Sequence, residues 1–190
     1  AEIDLLTPNA FLLSTVQINT QKKSYFEKLS AKKVTAIGFE FIKDSHDQLP
    51  VVRLLSEIAG TTSVLLAGEL LANTNGGNGV LMGGIAGVRP TEIVILGAGT
   101  VGEYASRAAL GLGANIRVFD ESLSRLRRLQ TSLGVRVSTS MLDPKELEKS
   151  LMRCDVAIGA LRGNGRTPCV VSEKMVEKMK PGTVIIDLSI

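Results

Sequence analysis

The sequence predicts an α/β chain: a doubly wound parallel sheet with helices on both faces, accompanied by part of a second domain. Three observations carry that reading. Short runs that are apolar throughout alternate with stretches that are apolar at every third or fourth position. The first pattern suits parallel strands covered on both faces, and the second suits amphipathic helices. Polar capping residues stand where the helices should begin, and one strand-to-helix junction is rich in glycine, which lets a backbone come close to a ligand.

Strands are expected at 92–96 (EIVIL), 115–119 (NIRVF), 135–139 (VRVST), 155–160 (DVAIGA) and 183–188 (TVIIDL). Asp143-Pro144-Lys145-Glu146 reads as an N-cap, a proline in the first turn and an acid at the third position. Ser172 caps the next helix, and Pro181-Gly182 should end it. Residues 1–50 differ. Thr7-Pro8-Asn9 is expected to open a long helix to about Ser30, followed by a strand at 34–39 and a polar loop. A second long helix at 52–73 should connect to residues 51–190, the main domain. The glycine-rich segment 76–84 lacks the Gly-Lys-Ser/Thr of a phosphate-binding P-loop; it is expected to pack beside a cofactor.

Composition narrows the function. With 44% hydrophobic and 22% charged residues, the 190-residue chain is neither disordered nor fibrous. The net charge of +3 is scattered and aromatics are only 4%, so no phosphate-tracking stripe with stacking rings is present. This excludes nucleic acid as a partner. No uninterrupted apolar run is long enough for a bilayer, so no membrane span is expected. Cys154 and Cys169 form no C-x-x-C, and His46 is the single histidine, too few soft ligands for zinc or an iron–sulfur cluster. Both thiols sit in apolar stretches and are expected to be buried and reduced, which fits a cytoplasmic protein. Ala1 is not a natural start and the chain stops just after a strand, so the sequence reads as a piece of a longer one.

Gly97-Ala98-Gly99-Thr100-Val101-Gly102 matches G-x-G-x-x-G between the strand EIVIL and a helix at 101–112. Gly97 permits the tight turn, Gly99 lets the backbone approach a pyrophosphate, and Gly102 lets the helix pack on the strand. The helix N-terminus supplies free N–H groups and a positive dipole end. Asp120 closes the second strand, where an acid accepts hydrogen bonds from the adenosine ribose and repels a 2′-phosphate. A Rossmann-type site for NAD rather than NADP is the result. Arg125 stands one turn beyond Asp120, within reach of the adenosine, although the 125–128 run also reads as a solvated helix face. Ser56 is open between a local helix contact and a phosphate contact. The glycine spacing argues against a methyltransferase.

The segments LLSEIAG (54–60), GVLMGGIAGVRP (79–90), EIVILGAGTVGEYASRAALGLGANIRVFD (92–120), DVAIGA (155–160) and MVEKMKPGTVIIDLSI (175–190) together resemble the alanine dehydrogenase / pyridine nucleotide transhydrogenase family. The resemblance covers about residue 8 to the end, and its order and spacing are closer to the alanine dehydrogenase branch. It implies an oxidoreductase that interconverts L-alanine and pyruvate plus ammonia with NAD, an amino acid or 2-oxo acid as small-molecule substrate, and a homo-oligomer. It assigns Ser56 to the cofactor phosphates, Gly97, Gly99, Thr100, Val101 and Gly102 to the pyrophosphate, and Asp120 and Arg125 to the adenosine. Ala160, Leu161 and Leu188 would line the cofactor, Leu188 near the nicotinamide. The family's substrate-binding Arg and Lys would precede Ala1, and its catalytic Asp would fall one position past Ile190. Its catalytic His should lie on the first long helix, at the position of Gln17. Glutamine carries no titratable proton near neutral pH. A transhydrogenase-like hydride carrier and a non-catalytic NAD sensor therefore stand as alternatives.

Overall fold

The computed structural model describes residues 2–18, 20–163 and 167–189. The chain divides into two compact units, 1–55 and 56–190.

The first unit contains helix α1 (Glu2–Leu5), strand β1 (Phe11–Ser14), helix α2 (Lys23–Ala31) and strand β2 (Thr35–Gly38). The two strands pair in parallel, with Phe11 opposite Thr35 and Ser14 opposite Gly38. The expected long helix from Thr7 to Ser30 is not formed; Asn19, inside that span, lies outside the described residues. Asn9 (φ 63°) and Gln17 (φ 48°) are left-handed on either side of β1, and a right-handed helix cannot pass through such residues. Over so few residues, an apolar run such as FLLS does not separate helix from strand. Glu40 Oε1 fixes the turn after β1 by accepting the N–H groups of Val16 and Gln17, both at 2.7 Å.

Helix α3 (Pro50–Leu71) leads into the second unit. Glu57 and Glu69 break the apolar run in the sequence, so no span is visible there. As one helix of 22 residues, with an 18-residue window of mean hydropathy 1.4, α3 is nonetheless long and apolar enough to cross a membrane by length and composition. A single helix of this kind also occurs as a core helix, so no clear membrane span stands against the expectation. Its Gly60, Ser63, Val64, Ala67 and Leu71 are buried, and Val64, Ala67 and Leu71 join a core cluster of this unit.

The second unit holds five parallel strands: β3 (Glu92–Leu96), β4 (Asn115–Asp120), β5 (Ser138–Met141), β6 (Val156–Gly159) and β7 (Val184–Asp187), in the order β5-β4-β3-β6-β7. Helices α4 (Thr100–Gly111), α5 (Leu123–Leu133), α6 (Pro144–Leu151) and α7 (Glu173–Glu177) connect them. Alternate residues of β3 point to opposite faces, as the pleat requires. Ile93 and Ile95 meet Ala105 and Ala109 of α4 and Leu126 and Leu129 of α5 in one cluster. Val94 and Leu96 meet Phe119, Leu147 and Leu151 in the other, with Met175 of α7 against it. This is the doubly wound α/β architecture the sequence predicts.

The caps also match. Asp143 Oδ1 accepts the Glu146 N–H at 3.0 Å, and Ser172 Oγ accepts the Met175 N–H at 3.4 Å. Two boundaries differ. β5 starts three residues late, because α5 ends on left-handed Gly134 (φ 68°) and Val135 is exposed, so pairing begins only where Ser138 meets Arg117. α7 ends at Glu177, well before Pro181.

Asp155 ties the N-terminal ends of the strands together. It is 6% exposed and accepts from Arg89 at 2.7 and 2.9 Å, from Lys180 at 2.7 Å and from the Glu92 N–H at 2.9 Å. Burial pushes its carboxyl up, but the bonds from Arg89, Glu92 and Lys180 outweigh burial and hold it well below the usual carboxylate range. A depressed carboxylate stabilises the fold above its unfolded pKa of about 3.9 and loses that contribution as pH falls below it. Both cations are partly solvated, which screens the pair. Asp155→Asn should cost roughly 1–3 kcal/mol at pH 7. Urea denaturation at pH 7 and pH 3 should show that the variant loses less stability on acidification than the parent.

Candidate functional site

The strand order reverses at β3: the chain runs outward to β4 and β5, then crosses back to β6 and β7. In such sheets a crevice forms beyond the carboxyl ends of the strands at the reversal, the usual ligand position. The glycine-rich turn stands at that point.

Gly97 follows β3 and donates its N–H to Phe119 O at 2.7 Å. Its φ is +115°, and a Cβ there would lie 2.4 Å from the carbonyl oxygen of Ala160. A Cβ on Gly102 would lie 1.8 Å from the carbonyl oxygen of Gly97. Helix α4 therefore starts directly over the strand end. Gly99 differs: it has an ordinary extended φ of −78°, and no described atom outside its chain neighbours lies within 4 Å of where its Cβ would be. It is the N-cap of α4, and no described side chain caps the helix. The first-turn N–H groups of Thr100, Val101 and Gly102 thus lack intrahelical acceptors and carry the positive end of the helix dipole.

Asp120 ends β4 and is 1% exposed. Oδ2 accepts the Ala98 N–H at 2.7 Å, and Oδ1 accepts the Ser122 N–H at 2.8 Å. The carboxylate braces the glycine turn against the start of α5, a role the sequence reading did not assign to it. Arg125 Nη1 lies 3.8 Å from Asp120 Oδ1, with its side chain about half exposed. Ala160 donates its N–H to Leu96 O at 2.7 Å, Leu161 donates its N–H to Ser189 Oγ at 3.3 Å, and Leu188 donates its N–H to Gly159 O at 2.8 Å. These bonds set Ala160 and Leu161 beyond β6 and Leu188 beyond β7, at the same end of the sheet. Ser56 is half-buried on α3, one turn before Gly60. Gly60 is packed against the start of α4, where a Cβ would lie 2.3 Å from Val101 O. The fold thus brings the turn, Asp120, Arg125, Ala160, Leu161 and Leu188 to the carboxyl ends of the strands, with Ser56 on the helix that abuts the turn.

Two residues escaped the sequence reading. Gly60 of SEIAG is the close-approach point between α3 and α4; a glycine amid a helical pattern was the available signal. Arg128 donates to Ala98 O at 3.4 Å, so the 125–128 run is not purely a solvated face. Two expectations are corrected. The segment 76–84 does not pack beside the turn. Val80 and Met82 pack against the core, and Gly83 abuts the backbone of Leu112 and Gly113, at the opposite end of α4. Met82 O accepts the Thr91 N–H at 2.9 Å, which fastens the segment to the start of β3. Cys154 is buried, its thiol pushed up to about 12 by burial, but Cys169 is exposed because its segment is a loop. Gln17 lies in the turn after β1, not on a helix.

The fold and this turn define a Rossmann-type domain with its helix start presented at the switch point. The model of the alanine dehydrogenase/PNT C-terminal domain matches residues 63–190, more than half of the chain. The chain belongs to that family. It is 39% identical over 165 residues to an alanine dehydrogenase of Mycolicibacterium smegmatis, covering 86% of this chain and 44% of the relative. It is 39% identical over 160 residues to an alanine dehydrogenase of Methanococcus maripaludis, covering 84% and 43%. The chain thus spans less than half the length of these curated relatives. A solved L-alanine dehydrogenase superposes with a TM-score of 0.88 at 36% identity, over 98% of this chain and 52% of that one. A transhydrogenase from Sinorhizobium meliloti shares the fold, with a TM-score of 0.75 at 22% identity, over 97% and 54%.

The two glycines separate in a stability measurement. Gly97→Ala should lose roughly 2–3 kcal/mol, through its positive φ and the clash with Ala160. Gly99→Ala should stay within about 0.5 kcal/mol of the parent in thermal or chemical denaturation.

Proposed function

We propose that this chain is the NAD(H)-binding portion of an alanine dehydrogenase-like oxidoreductase, joined to part of its substrate domain in the first unit. The observation that carries the reading is the uncapped start of α4 behind Gly99, where an added Cβ would meet no described atom. A pyrophosphate takes the first-turn N–H groups of α4, with Ser56 one turn from the Gly60 contact and able to reach the same phosphates. Asp120 has two acceptor positions engaged by backbone, and a carboxylate offers about four. The remaining pair suits the ribose hydroxyls, and its charge opposes a 2′-phosphate. Arg125 flanks the adenosine, and Ala160, Leu161 and Leu188 flank the remainder of the dinucleotide.

NAD supplies the hydride acceptor for oxidation at the α-carbon of L-alanine, which yields pyruvate and ammonia after hydrolysis. The chain's own part is to hold and orient the dinucleotide. Gln17 stands where the family places a proton-carrying histidine, and it cannot titrate near neutral pH. The exposed apolar residues Leu65, Leu66 and Leu70 on α3 support a homo-oligomer, since assembly would cover them. The relatives also support a cytoplasmic setting. Gln17 favours one second reading, a non-catalytic NAD-binding module; alanine-dependent NADH formation by the longer protein separates the two, and inactivity across a panel of amino acids would favour the module.

Calorimetric titration tests the binding. NADH should bind this chain, NADPH should bind at least about tenfold more weakly, and Gly99→Ala should weaken NADH binding while the fold stays intact. Absent NADH binding, or tighter NADPH binding, would refute the proposal. No turnover of L-alanine is expected from this chain alone.

A further inference from the structure

The carboxyl ends of the strands hold the candidate dinucleotide site; the opposite ends hold a second concave feature that this reading does not use. A cleft of about 450 Å³ is lined there by Arg117 of β4, Arg136 just before β5 and Arg153 just after α6, with Glu92 on its rim and Leu110 and Ile116 among its apolar walls. Three separate segments thus contribute guanidinium groups to one cavity. Glu92 is engaged by Asn115 Nδ2 at 2.9 Å. Three positive groups against one negative group leave the lining with a net charge of two positive, 3 − 1. Among the described residues, no carboxylate forms a salt bridge with Arg117, Arg136 or Arg153. Glu146, a partly exposed acid on α6, feels the charge of Arg117 without bonding to it, and Asp155 is engaged by Arg89 and Lys180.

Arg117 is anchored rather than loose. Pairing sets it opposite Ser138 on one side and Val94 on the other. Its Nη1 donates to Ser150 Oγ at 2.9 Å, and its guanidinium carbon lies 5.7 Å from the centre of the Phe119 ring. Its Nε is buried with no hydrogen-bond partner among the described residues. A buried donor left without a partner costs free energy. The sheet therefore fixes this half-buried guanidinium beside the cleft with one buried donor, Nε, unmet among the described residues.

We propose that this cleft binds a small phosphomonoester, with the phosphate against Arg117, Arg136 and Arg153 and a less polar body over Leu110 and Ile116. A phosphomonoester carries about −1.5 to −2 at pH 7, which matches the excess charge of the lining. Its tetrahedral oxygens accept from several guanidiniums at once, whereas a carboxylate has two coplanar oxygens. The volume falls within the range of small-molecule sites, about 300–1,000 Å³. Glu92 and the Gly97 turn stand at opposite ends of β3, roughly 15 Å apart at about 3.3 Å per residue, so the two sites fill independently.

Titration of this chain with phenyl phosphate tests the proposal, with phenol and inorganic phosphate as comparison probes. Phenyl phosphate should bind saturably below about 10 mM and more tightly than either comparison probe. Arg136 and Arg153 are exposed, so the double variant R136Q/R153Q should keep its circular dichroism and melting temperature while binding at least about tenfold more weakly. R117Q should weaken binding as well, and Gly99→Ala, at the other end of the sheet, should leave it unchanged. Absence of saturable binding, undiminished binding by R136Q/R153Q, or loss of binding in Gly99→Ala would overturn the site. Equal affinity for inorganic phosphate would overturn the role given to the apolar walls.

Discussion

The second unit depends on how closely helix α4 starts over the end of β3. A single Cβ on Gly102 would lie 1.8 Å from the Gly97 carbonyl oxygen, and one on Gly97 would lie 2.4 Å from that of Ala160. The absence of two side chains lets strand end, helix start and the loop after β6 occupy one small volume. Asp120 secures the arrangement by accepting the Ala98 and Ser122 N–H groups, one from the turn and one from the entry to α5. The buried carboxylate is satisfied by backbone, so the turn is held before any ligand arrives. Electrostatic preorganisation of this kind spares a bound anion the cost of ordering the loop.

This constraint was the most legible part of the sequence. G-x-G-x-x-G, the apolar runs of β3, β4, β6 and β7, and the acid at the end of β4 are local patterns whose physical causes are local too. The misread parts share a different cause. Nothing local separates FLLS as a strand from the first turns of a helix; the left-handed Asn9 and Gln17 decide it. The segment 76–84 looked like a cofactor loop because glycine signals close approach without saying to what. In the fold the close neighbours are the backbone of Leu112 and Gly113. Charge composition likewise hid Asp155, Arg89 and Lys180, which are distant in sequence and meet only through the strand order.

The two ends of the parallel sheet are chemically unlike. At the carboxyl ends, backbone N–H groups and small residues leave room beside the carboxylates of Asp120 and Asp187 and the guanidiniums of Arg125 and Arg128. At the amino ends, Asp155 meets the two cations Arg89 and Lys180, and Arg117, Arg136 and Arg153 line a cleft together with Glu92. A parallel sheet produces this contrast readily, because all its strands expose the same end to the same side. Backbone donors serve an anion that must be approached closely. Side-chain cations at a surface attract anions with a strength that depends on ionic strength.

The departure at Gln17 bears on these two units differently. It sits in the first unit, in a left-handed turn whose N–H is held by Glu40. Within the second unit, Gly97, Ala98 and Gly99 are tied to Phe119, Asp120 and Glu103. The dinucleotide site proposed above is thus built from bonds within the second unit. The constraint at Gly97 and Gly102 is independent of the chemistry at Gln17, because a side chain at either position would meet a backbone oxygen, at 2.4 Å and 1.8 Å.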